Sequence, residues 1–158
     1  MHFFGEVDFD CTLKSELCEL PVLGSNDKKV KADLSIVEKN GKVGLVQAER
    51  NEWWFEEGYY ICEYILFCEY DEIEFLRTAS GTGLMIRKNE KIGFYLITAA
   101  SEDKNSHIFC DELFPCVYDR IEYVNSYPSY FHLHEGNNVM KYNVLTKEMT
   151  LEMREKYD

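Results

Sequence analysis

Four cysteines form the first pattern in this sequence that metal chemistry would use. Cys62 with Cys68, and Cys110 with Cys116, make two C-x5-C pairs. An even step puts both sulfurs of a pair on one face of an unbroken strand. Four thiolates suit tetrahedral zinc, yet structural zinc sites use C-x2–4-C. The cysteines therefore read as small apolar groups at equivalent core positions. His132 and His134 form an H-x-H pair between Phe131 and Leu133, with both imidazoles on one side of a strand. No nearby third ligand is compelling, and an outward polar face accounts for the pair equally well. Ser80-Gly81-Thr82-Gly83 has the composition of a phosphate cradle. A cradle should open a helix, and Leu84-Met85-Ile86 reads as a strand, so this segment and Ala99 to Ser106 read as loops. Nucleophile-elbow, H-E-x-x-H and Walker patterns are absent. No catalytic residue, metal or cofactor is expected. The enzyme alternative would use His132, His134 and cysteines around a metal.

A different pattern points to protein recognition. From Glu49 to Phe75 the chain has nine acidic residues and one basic, Arg50. The same stretch holds Trp53, Trp54, Phe55, Tyr59, Tyr60, Tyr64, Phe67, Tyr70 and Phe75. Acids steer an encounter with a basic partner, and buried aromatics supply the binding energy. The partner-binding candidates are Glu52, Trp53, Trp54, Glu56, Glu57, Tyr59, Glu69 and Glu72. The competing reading is a strand pair with a solvated acidic face. Neighbouring tryptophans point oppositely in a strand, so both are buried only where both faces are covered.

Composition frames what must hold these groups. The 158 residues carry a net charge of −12, which repels nucleic acid and anionic lipid and favours a cationic protein. Aromatics make up 15%, a content suited to pleated, half-buried surfaces. Met1 to Glu6 has no basic n-region, and Tyr59 to Phe67 is too short to span a bilayer. A cytoplasmic protein with reduced cysteines is expected. Val30, Ala32, Leu34 and Ile36 alternate with Lys31, Asp33 and Ser35, the pattern of a half-buried strand.

The organising feature is a repeat. Ile61 to Phe75 and Phe109 to Tyr123 agree at six of fifteen positions at an offset of 48. Ile36 to Leu45 parallels Met85 to Phe94 at an offset of 49. Asn40-Gly41 is a strong hairpin signal and Asn89-Glu90 a weaker one. A worn third copy runs from Phe131 to Tyr142. On Asn40-Gly41-Lys42, Gly44, Tyr70-Asp71-Glu72-Ile73 and their counterparts Asn89, Lys91, Gly93 and Tyr118-Asp119-Arg120-Ile121, the chain resembles the WG-type β-repeat proteins. Val43 and Ile92 replace the signature tryptophan, and the third copy lacks the glycine. The resemblance implies β architecture more than an activity. Phe3 to Asp10 with Lys29 to Leu34 resembles small bacterial domains grouped with predicted toxin-immunity proteins.

The expected fold is mainly β, a single domain over 1–158 with antiparallel sheets built from hairpin repeats of about 48 residues. An N-terminal β segment over 1–29 precedes repeats at 30–76, 84–124 and 130–158. Thr146 to Tyr157 suits either a strand or a short C-terminal helix. The expected function is an immunity or antitoxin-type protein that occludes a basic toxin domain, for which a nuclease is a fitting partner. The alternative is a structural or adaptor β-repeat module with a non-toxin partner.

Overall fold

The computed structural model describes residues 9–25, 27–49, 61–103 and 107–154. Among them every regular element is a strand. In the strand Lys29–Lys39, Ala32, Leu34 and Ile36 are buried while Lys31 and Asp33 are exposed. The period-two pattern in the sequence is thus the burial pattern in space.

Among the described residues twelve strands form three antiparallel four-stranded sheets. Sheet one contains β1 (Cys11–Pro21), β2 (Lys29–Lys39), β3 (Lys42–Glu49) and β4 (Ile61–Tyr70), in that order. Sheet two contains β5 (Glu72–Thr78), β6 (Gly81–Lys88), β7 (Lys91–Ala99) and β8 (Ile108–Tyr118). Sheet three contains β9 (Arg120–Val124), β10 (Tyr130–Glu135), β11 (Asn138–Asn143) and β12 (Met149–Arg154). Each sheet is a meander. The sequence units at 30–76 and 84–124 each begin inside one sheet and finish in the first strand of the next.

Sheet two is the middle layer. Leu20, Leu34, Ile36 and Leu45 of sheet one pack against its Leu84, Ile86 and Ile97. On its other side Phe94 and Phe114 pack against Ile121, Phe131 and Leu133 of sheet three. The Phe131 ring lies 5.0 Å from Phe94 and 5.3 Å from Phe114. Burying each such side chain is worth about 1.5–3 kcal/mol relative to leaving it exposed. The alternation of β7 serves both cores, with Phe94 turned one way and Tyr95 and Ile97 the other.

The hairpin tips follow from turn chemistry. Asn40 and Gly41 have φ of 54° and 81°, and Asn89 and Glu90 have 54° and 68°. Two positive values between paired Lys39↔Lys42 and Lys88↔Lys91 are the type I′ pattern. The strands beyond the tips share a register. Val43↔Tyr70, Leu45↔Leu66 and Val46↔Tyr64 in sheet one match Ile92↔Tyr118, Phe94↔Phe114 and Tyr95↔Glu112 in sheet two. Both ladders shift register at the same two places. Gly44 and Gly93 sit there because the partner backbone comes too close for a side chain. A Cβ on Gly44 would lie 2.5 Å from the Leu66 oxygen, and one on Gly93 2.6 Å from that of Phe114.

One segment differs from the sequence reading, and one left open there is decided. Gly81, Thr82 and Gly83 belong to strand β6, with the turn only at Ala79-Ser80. Gly83 leaves room for the Phe94 ring, whose Cζ would meet a Cβ at 2.3 Å. At the C-terminus the strand alternative is the one formed. Met149–Arg154 pairs with β11 through Tyr142↔Met149 and Met140↔Leu151, and no helix forms among the described residues. None there could cross a membrane as a helix.

Candidate functional site

The Tyr-Asp-x-Ile motif builds the frame of the candidate site. Tyr70 and Ile73 join the first core, so Asp71 between them is carried to the junction of sheets one and two. Its backbone N–H donates to the Arg87 carbonyl at 2.9 Å. Its carboxylate accepts the Asn89 N–H at 2.8 Å and pairs with Lys42. These partners hold the Asp71 carboxyl below the usual range, the Lys42 hydrogen bond contributing most. The strand that follows then alternates. Ile73 and Phe75 turn to the core, while Glu72 and Glu74 stay exposed.

Beside this strand lies a groove of about 390 Å³ between sheets one and two. Ile36, Val43, Ile73 and Phe75 give it an apolar floor. Leu13, 53% exposed on the edge strand β1, forms one lip with Lys14. Asp71, Glu72 and Glu74 form the other. Asp71 is committed to Lys42, and Glu72 lies 3.7 Å from Arg87. Glu74 has no ion pair among the described residues. An apolar floor with acids at its rim suits an amphipathic cation, whose stem covers the floor and whose head meets the carboxylates.

Of the residues singled out in the sequence, the structure brings Glu72 to this groove. Glu69 is exposed near the end of β4, two residues before Asp71. Glu52, Trp53, Trp54, Glu56, Glu57 and Tyr59 lie outside the described residues. The other groove residues were not among the candidates: Leu13, Lys14, Asp71 and Glu74 at its rim, and Ile36, Val43, Ile73 and Phe75 in its floor. The alternation of Glu72-Ile73-Glu74-Phe75 was a visible signal, but its approach to β1 is a long-range contact without one.

The cysteines and histidines occupy other surroundings. Cys68 donates weakly to the Val37 carbonyl at 3.9 Å, and Cys116 to the equivalent Ile86 carbonyl at 3.7 Å. Burial pushes the Cys18 and Cys110 thiols up to about 12. The side-chain surroundings of Cys62 lie outside what is described. His132 and His134 do share a face of sheet three, with ring centroids 6.4 Å apart. His134 Nε2 lies 2.6 Å from Glu122 Oε1 and 3.2 Å from Arg120 Nη2. That contact with His134 is the main cause holding the Glu122 carboxyl below its usual range. The β9–β10 register, with Arg120 opposite His134 and Glu122 opposite His132, assembles this cluster. Among the described residues no three His, Cys, Asp or Glu side chains converge as a metal site. No family model, curated protein or solved structure matches the chain.

Proposed function

We propose that this chain is a protein-binding domain of the immunity type, which captures a basic toxin domain and covers its working surface. The observation that carries the reading is the groove between sheets one and two, apolar at Ile73 and Phe75 and acidic at Glu72 and Glu74. A Lys or Arg of the partner fits it, with the methylenes on the floor and the charge at Glu74. The net charge of −12 adds long-range attraction toward a cationic protein. The likeness of Phe3 to Asp10 and Lys29 to Leu34 to immunity-type domains supplies the toxin. A nuclease is a fitting partner, because it needs a cationic surface to hold phosphates.

A second reading, an adaptor module with a non-toxin partner, is favoured by the Asp-centred contacts that recur from sheet to sheet, Asp71 with Lys42 and Asp119 with Lys91. Affinity capture from producing cells separates the two. The wild type should retain a basic protein that a Glu72→Lys/Glu74→Lys double variant releases. A captured partner with toxic activity supports the immunity reading, and one without it supports the adaptor. Equal retention by both forms of the bait would contradict a role for the groove.

A further inference from the structure

A second groove, about 320 Å³, opens at the far end of β1 and β5. Its charge is opposite to that of the first. Lys29, Lys31 and Arg77 line it against one acid, Glu19, in a chain with 17 basic and 29 acidic residues. Glu19 lies 3.5 Å from Lys29. Lys31 and Arg77 have no ion-pair partner among the described residues. With three cations against one carboxylate the groove carries a net positive charge, which attracts an anion.

The floor of the groove adds a donor. Thr82 is 4% exposed, and its hydroxyl has no hydrogen-bond partner among the described residues. The hydroxyl is open to solvent in the groove, where an incoming acceptor would take the place of water. Thr82 stands directly opposite Arg77 in the β5–β6 ladder. Both lie on the face of sheet two that carries Leu84 and Ile86 toward sheet one. Gly81 closes the floor against β1: it has φ of 125°, and a Cβ there would lie 2.9 Å from Pro21 Cδ. The missing side chain at Gly81 thus lets Pro21 of β1 come close beside Thr82.

We propose that this groove binds an oxyanion, the phosphate or carboxylate group of a small molecule. Arg77 offers a planar fork of N–H donors that matches either group. Lys31 adds a second charge, and Thr82 donates from below. The volume is at the lower end of the range of small-molecule sites, which suits a compact ligand with one charged head.

The test is a titration of the full chain followed by amide correlation spectra, using inorganic phosphate in one arm and succinate in the other. Ionic strength is held constant with chloride. Saturable shifts centred on Gly81, Thr82 and Lys31 are expected, and the tighter arm names the head group. Arg77→Ala should weaken that binding about tenfold or more, the range expected for a charge-assisted contact. Lys31→Ala and the isosteric Thr82→Val should weaken it less. Arg77 and Lys31 are exposed, so their variants should keep the dispersed spectrum of the folded chain. The proposal is overturned if neither anion gives a saturable shift, or if folded Arg77→Ala and Lys31→Ala both bind as the wild type does.

Discussion

Asp71 and Asp119 hold the same place at successive sheet junctions. Asp71 accepts the Asn89 N–H at 2.8 Å and pairs with Lys42; Asp119 accepts the Gly136 N–H at 2.8 Å and pairs with Lys91. Each aspartate binds the hairpin tip of its own sheet through the backbone and the tip of the preceding sheet through a lysine. Asp10 begins the series, accepting the Asn40 N–H at 2.9 Å. The three also donate their own N–H groups to Glu38, Arg87 and His134. The acid-rimmed groove depends on this clip, because it fixes where the chain passes from β4 of sheet one to β5 of sheet two.

The clip predicts an acid-sensitive stability. Both carboxyls are held below the ordinary value by their lysine and backbone partners. A group with a depressed folded pKa contributes stability that is present above its unfolded pKa, near 3.8, and lost as pH falls through the folded value. The wild type should therefore lose stability relative to Asp71→Asn and Asp119→Asn as pH drops below about 4. Denaturant midpoints measured at several pH values check this. Parallel curves for wild type and both variants would show that the clip contributes nothing.

The close strand approach predicts a position-specific response to one methyl group. Gly44→Ala and Gly93→Ala place a Cβ within 2.5 and 2.6 Å of backbone oxygens. Each should cost about 1–3 kcal/mol, the range for overpacking a site that has to shift. Gly41 has open space, so the cost of Gly41→Ala should come from its φ of 81° alone. Chemical denaturation of the three variants tests the distinction.

The thiols should react in an order set by burial. Cys11 is exposed, whereas burial pushes Cys18 and Cys110 up to about 12. The thiolate is the nucleophile, so an alkylating reagent at pH 8 should label Cys11 quickly. Half-buried Cys110 should react more slowly, and Cys18 should wait for unfolding. Mass mapping of the modified cysteines over time gives the order, and early labelling of Cys18 would contradict the packing described.

Much of this architecture was legible locally. Asn40-Gly41 announces its hairpin because both φ values have to be positive, and β2 announces its buried face by alternation. The Tyr-Asp-x-Ile likeness marked Asp71 and Asp119 before their partners were known. Other features lay beyond local pattern. Glycine-rich Gly81-Thr82-Gly83 resembles a loop in composition, yet its small residues serve a strand pressed against Pro21 and Phe94. Met149, Leu151 and Met153 fit either period, and only pairing with β11 makes them a strand. The grooves were not legible, because Leu13 comes to line one groove with Ile73 and Phe75, and Lys31 another with Arg77, only through the stacking of sheets distant in sequence.

Charge and contact in the acidic groove should separate kinetically. Glu74→Gln should mainly slow association, with the effect fading as salt screens the charge. Phe75→Leu should mainly speed dissociation, because it trims the floor while keeping it apolar. Binding kinetics of both variants with the captured partner, each shown folded beforehand, check the split. Wild-type rates for both would place the contact elsewhere.

A basic protein should dock on the groove between β1 and β5. Hydrogen exchange of the full chain, free and bound to its captured partner, reads this out. The partner should carry net positive charge, with new protection concentrated at residues 11–15 and 71–76. Docking there is contradicted if the partner is acidic, or if protection appears only on sheet three and leaves β1 and β5 exchanging as in the free chain.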